Sequence, residues 1–152
     1  MFLFALLKTP PSPPETVAII ALLVVSFVLV PHFIALMSGW NRLAQRFRAD
    51  QPFVGTVWKF QCAQFRYGMN YNNCVTVGAG AEGLYLAMLP LARLGHAPLL
   101  IPWNEITEQP KDTFFGPVFV LTLGREEQVM MKINSKLALK IEQAKKENFP
   151  IR

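Results

Sequence analysis

The sequence predicts one membrane-crossing helix followed by a mainly-β domain that a single C-terminal helix closes. Three observations carry this reading. Residues 16–37 form a long apolar run, TVAIIALLVVSFVLVPHFIALM, with arginines close behind it. Residues 54–133 alternate short strand-like runs with turn residues. Residues 135–147, SKLALKIEQAKKE, put Leu137, Ile141 and Ala144 on one helical face, with Lys, Glu and Gln opposite.

The apolar run comes first. At 1.5 Å per residue, roughly 22 residues span about 33 Å, close to the hydrocarbon thickness of a bilayer. Its Val, Ile, Leu and Phe side chains favour insertion by on the order of 4–8 kcal/mol. Pro31 falls in the last third and predicts a kink. His32 falls near the headgroup boundary, where a polar ring is tolerated. The run is too long for a signal peptide, has Glu15 in front of it and lacks a small-residue cleavage site, so an anchor is expected. Arg42, Arg46, Arg48 and Lys59 follow it, whereas only Lys8 and the amino terminus precede it. The positive-inside rule then places the C-terminal domain in the cytoplasm and the N-terminus outside.

The flanks extend the pattern. Residues 1–15 combine a short apolar start, 1–7, with the stiff spacer Pro10-Pro11-Ser12-Pro13-Pro14. The transmembrane helix is assigned to 16–38 and a basic amphipathic juxtamembrane helix to 39–50. In that second helix Trp40, Leu43 and Phe47 recur at helical spacing, with Arg42, Arg46 and Arg48 on other faces. Trp40 and the three arginines are the expected membrane-interface residues. Residues 52–149 form the β domain. Strands are expected near 54–67, 73–78, 83–89, 97–103, 105–112, 117–123 and 127–133. The run VFVLTL at 118–123 is nearly all apolar and predicts a central strand. Ser135 is placed to cap the final helix.

Composition narrows the function classes. The chain has 152 residues and a net charge of +5, with its Lys and Arg scattered rather than striped, so no nucleic-acid partner is expected. Cys62 and Cys74 are too few for a disulfide framework or a zinc site, and are expected reduced and packed. No metal and no cofactor is expected.

Seven short antiparallel strands closed by one amphipathic helix resemble a pleckstrin-homology-like barrel. Finer motifs are Ser38-Gly39-Trp40 with Leu43-Ala44, Gly83-Leu84-Tyr85-Leu86, and residues 95–103, GHAPLLIPW, followed by Ile106. These are similar to an uncharacterised family of bacterial single-pass membrane proteins with a cytoplasmic domain of that type, whose "GHPPLLIPWxEI" signature here carries Ala97 in place of the first proline. The resemblance covers residues 30–145. It implies a fold and an inner-membrane location with the domain on the cytoplasmic face, but no reaction.

One motif points elsewhere. Gly78, Gly80 and Gly83 form G-x-G-x-x-G after a strand-like run, and Glu105 follows about 20 residues on, as in a dinucleotide fingerprint. Pro90 would break the required helix at a cost of about 3 kcal/mol, and no strand–helix alternation follows. A glycine-turned hairpin is the better reading. His96 with Glu105 as an acid–base pair is set aside, because a lone turn histidine usually serves in hydrogen bonding. Arg66, Arg93, Lys111 and Lys132 are candidate contacts for a lipid headgroup or a partner at a barrel mouth. Trp103 is expected in the core, and of Met130 and Met131 one should be buried and one exposed.

The leading expectation is therefore a non-enzymatic, membrane-anchored interaction module that braces the cytoplasmic face of a larger inner-membrane complex, such as a respiratory or photosynthetic assembly. Its partners would be the bilayer and other membrane-protein subunits. The alternatives are a surface module that binds anionic headgroups and, less favoured, a dinucleotide-binding enzyme.

Overall fold

The computed structural model describes residues 10–148, so the expectations for residues 1–9 and for residue 149 lie outside the described residues. The first element, α1, spans Pro13–Ser38 and starts three residues before the expected 16. Ser12 and Glu15 explain the earlier start. The Glu15 carboxylate accepts the Ser12 backbone N–H at 2.8 Å, and Thr16 N–H bonds to Ser12 C=O at 2.9 Å. This is the carboxylate half of a capping box, with Pro13 and Pro14 in the first turn, where a missing N–H costs nothing. The proline spacer thus ends inside the helix. Among the described residues α1 is the one helix long and apolar enough to cross a membrane.

The chain divides into two compact units between Val30 and Pro31. In the first, α1 exposes apolar side chains all round, Val17, Leu22, Leu23, Phe27 and Leu29 among them. A helix apolar on every face fits lipid rather than water. Pro31 does not end the helix. The second unit, from Pro31 onward, holds the last two turns of α1 and everything after them.

Gly39 separates α1 from α2, which spans Trp40–Phe47. Its φ of 85° is left-handed, a conformation glycine adopts without steric cost. A Cβ there would meet Val129 Cγ2 at 2.9 Å. The basic stretch is therefore a new helix with a new direction, not an extension of α1.

Seven strands follow: β1 (Thr56–Gln64), β2 (Asn70–Ala79), β3 (Gly83–Met88), β4 (Leu99–Pro102), β5 (Ile106–Thr113), β6 (Gly116–Leu123) and β7 (Val129–Asn134). They form one antiparallel sheet in the order β4-β3-β2-β1-β7-β6-β5. Two meanders, β1 to β4 and β5 to β7, meet where Gln64 of β1 pairs with Lys132 of β7. Register shifts between Trp58 and Ala63 bend β1, and Phe60 within them has a φ of 56°. The strand β6 is interior but only second from the edge, so its outer face is not covered as a central strand's would be, and Val118, Phe119 and Val120 stay half-exposed. The segment after α2 covers the β4 edge: Arg48 bridges Leu99, and Ala49 N–H bonds to Pro98 C=O.

The last helix, α3 (Ser135–Asn148), closes the sheet with Leu137, Ala138, Ile141 and Ala144. Its cap is Asn134 rather than Ser135, because Asn134 Oδ1 accepts the Leu137 N–H at 2.8 Å. The core joins both meanders and both short helices, through Trp40, Leu43, Val75, Val77, Leu84, Leu86, Leu99, Ile101, Leu123, Met131 and Leu137. Met131 is buried and Met130 exposed, as the alternation predicts.

Two glycines with similar φ separate backbone from packing. Gly68 has a φ of 71° with open space around it, whereas Gly39 faces Val129. Gly39→Ala should cost about 1–3 kcal/mol, and more than Gly68→Ala, which pays only the left-handed backbone term. Urea denaturation of the detergent-solubilised chain, with equal losses for the two variants, would refute this packing role.

Candidate functional site

A buried aromatic cluster, a partly exposed ion cluster and an exposed aromatic pair stand out. The first cluster is the joint between α1 and the β domain. Trp40, expected at the membrane interface, is fully buried instead. Its indole N–H bonds to Ala97 C=O at 2.8 Å. Its ring packs against His96, Phe65 and Tyr71 with centroids 5.2, 5.6 and 6.0 Å away. The helical period places Trp40 on the same face as Leu43 and Phe47, and that face meets the core.

Around this ring runs a buried polar chain. Tyr71 Oη lies 2.9 Å from both Ser38 Oγ and His96 Nε2, and His96 Nδ1 lies 3.0 Å from Leu94 C=O. A carbonyl can only accept, so Nδ1 carries the proton and Nε2 of the neutral ring faces the Tyr71 hydroxyl, which donates to Ser38 Oγ. Burial holds the His96 pKa below its ordinary value, and the same cause pushes the Tyr71 phenol up to about 12. His96 is thus a hydrogen-bonded residue, as expected, but a buried one. Ser38 and Tyr71 were not singled out as its partners, because a chain of single polar residues across 58 positions leaves no periodic signal.

The second cluster takes Arg46 away from the expected membrane collar. Its guanidinium lies 3.2 Å from Glu105, 3.6 Å from Glu127 and 3.8 Å from Glu126. Glu105 also accepts the Arg125 N–H at 2.9 Å. The carboxylate proposed for a ribose is therefore spent holding α2 to the turn between β6 and β7. Arg42 and Arg48 remain exposed, with Asp50 4.0 Å from Arg48.

Gly78, Gly80 and Gly83 lie on the β2–β3 hairpin, with Gly80 N–H bonded to Gly83 C=O. Phe53 covers the first two: a Cβ on Gly78 would meet its ring at 2.6 Å, and the ring stacks on Tyr85 at 4.7 Å. At Gly83 a Cβ would meet the Ile101 carbonyl of β4 instead. The Trp103 Nε1–H donates to the Gly80 carbonyl at 2.9 Å, and the Trp103 ring, half-buried, carries Lys145 on its face. Gly78 and Gly80 admit an aromatic ring, Gly83 admits the neighbouring strand, and a strand rather than a helix N-terminus follows them.

The four candidate contact cations are not brought together. Arg93 lines a groove with His32 and Arg48, whereas Lys132 lines a separate one with Asn72 and Phe115. Arg66 lies over Tyr67, and Lys111 sits on the edge strand opposite Val118. The sheet order explains the separation, since β3, which leads to Arg93, and β7, which carries Lys132, are three positions apart. Cys62 and Cys74 are free thiols on neighbouring strands and half-buried. Burial pushes the Cys74 thiol up, which disfavours its thiolate. Among the described residues no group of three His, Cys, Asp or Glu could hold a metal ion.

The most exposed apolar residues lie at the β5–β6 turn. Phe114 and Phe115 are 98 % and 97 % exposed, edge to face at 5.4 Å. No period or motif in the sequence singles this pair out.

Arg46→Met should cost about 1–2 kcal/mol in urea unfolding, since Glu105 and Glu127 are nearly buried while Arg46 is partly in water. An unchanged midpoint would remove its role as a clamp. His96 gives a pH signature. Its depressed folded pKa means that its contribution is complete above the ordinary value of 6.5 and is lost as the pH falls through the folded value. The thermal midpoint should be flat near pH 7–8 and fall below 6.5, and His96→Gln should flatten that slope; an identical slope would assign it to other groups.

No family model matches the chain, and no curated protein matches it.

Proposed function

We propose that the protein is a single-pass membrane protein whose β domain is a pleckstrin-homology-like barrel that binds other membrane-protein subunits at the cytoplasmic face of a bacterial inner membrane. The observation that carries this reading is the Phe114–Phe115 pair. Two adjacent aromatic rings almost wholly in water are costly, and among the described residues no other large apolar side chains of the domain are as exposed. Exposed aromatic anchors of this kind supply much of the binding energy at protein interfaces. The edge strand leading to them is guarded against simple strand addition by Pro110, Lys111 and Asp112, so the tip rather than the edge is the docking element.

The other elements support the same reading. The apolar α1 is long enough to cross a bilayer, and the exposed Arg42 and Arg48 lie close behind it, which favours the domain inside. Two antiparallel meanders closed by a helix are the expected order for the barrel. The domain then works by position and contact, bracing a complex rather than transforming a substrate.

The test is blue-native electrophoresis of gently solubilised membranes. The wild-type chain should migrate within a larger assembly. Phe114→Ser with Phe115→Ser should shift it to the free form with the thermal midpoint unchanged, because neither ring packs in the core. A free monomer in wild-type membranes would end the proposal, as would an assembly indifferent to both serines.

A further inference from the structure

The geometry points to a lipid-phosphate site beside the end of α1: a groove of about 640 Å³ whose polar lining is His32, Asn41, Gln45, Arg48 and Arg93, together with the polar-bonded His96 at its floor. It would hold the phosphate of an anionic phospholipid. This proposal goes beyond protein docking. It needs α1 to cross the membrane but needs no protein partner.

The donor chemistry fits a phosphate. Two guanidiniums, an imidazole and two carboxamides face one open groove, and no carboxylate lines it. Asp50 approaches Arg48 from outside the groove, at 4.0 Å and well exposed, so it leaves most of the guanidinium donors available. Guanidinium groups match phosphate oxygens in planar, two-point contacts. The groove is shaped by a close approach: a Cβ on Gly95, whose φ is 74°, would meet His32 Cα at 2.9 Å. Glycine therefore lets the loop that bears Arg93 close onto the helix that bears His32.

The surroundings choose a lipid over a free anion. Phe33 and Leu36, on the same turns of α1 as His32, are exposed. Leu91, two residues before Arg93 in the turn Pro90–Ala92, is 84 % exposed. Apolar side chains beside a cationic groove are the two halves of an interfacial site: one meets acyl chains, the other the headgroup. A soluble phosphate compound would use only the second half.

The experiment is native mass spectrometry of the full chain in detergent with added phosphatidylglycerol, phosphatidylcholine or inorganic phosphate. Phosphatidylglycerol should be retained as a single adduct in preference to phosphatidylcholine. With each basic residue near an anionic surface worth about fivefold, Arg48→Gln with Arg93→Gln should weaken that retention roughly 25-fold. Both side chains are exposed, so the variant should keep its thermal midpoint. Lys111→Gln with Lys132→Gln removes the same charge elsewhere and should leave retention unchanged. Equal retention of the two lipids, or equal losses in the two double variants, would overturn the site. Inorganic phosphate that displaces phosphatidylglycerol at equal concentration would overturn the lipid as its occupant. Each readout uses the purified chain, so failure of subunit docking leaves them untouched.

Discussion

The burial of Trp40 is the constraint on which the rest of the domain depends. An indole can lie in a protein core only if its N–H finds an acceptor and its rings find close neighbours. Ala97 C=O supplies the first, and Phe65, Tyr71 and His96 supply the second. These partners come from two connections, Phe65 and Tyr71 from either side of the turn between β1 and β2, and His96 and Ala97 from the loop before β4. Fixing one side chain just after the apolar helix therefore fixes two connections of the sheet around it.

Two glycines follow from that constraint. Trp40 reaches the core because Gly39, in a left-handed conformation, breaks the helix and lies against Val129. Ala97 reaches Trp40 because Gly95 turns the loop hard against the last turns of α1. The polar chain from Ser38 through Tyr71 to His96 then satisfies the groups this packing takes from water. An unsatisfied buried hydroxyl or imidazole would cost about 1–3 kcal/mol each, so the three belong together. Serine directly before the glycine and histidine directly after the other one mark the two ends of a single contact.

Local signals made much of the fold legible. Alternation and turn residues placed seven strands within a few residues of their observed ends, since each strand is specified by its own period and its own turns. The face of α3 could be read for the same reason. What local pattern cannot carry is the partner of each exposed-looking group. The period of Trp40, Leu43 and Phe47 is the same whether the stripe meets lipid or core, and only the sheet decides. Arg46 reads as a membrane cation because its acids lie 59 to 81 positions away. The glycines at 78, 80 and 83 fit a nucleotide fingerprint until Phe53 and the backbone of β4, from other segments, occupy the space beside them.

The sheet also separates two kinds of surface. The strand β6 runs from Gly116, beside the phenylalanine pair, to Leu123, beside the ion cluster that holds α2. Eight residues at about 3.3 Å each place the two ends roughly 25 Å apart. A partner that seats Phe114 and Phe115 is therefore remote from Arg46 and its three glutamates. The groove with Arg48 and Arg93 belongs with the other meander, next to β4 and the end of α1. One meander is built against the end of the apolar helix, and the other extends a finger away from the ion cluster. The turn itself carries only Lys111 and Asp112 beside the two rings, with Lys132 across the groove from Phe115, so apolar surface rather than charge dominates the tip.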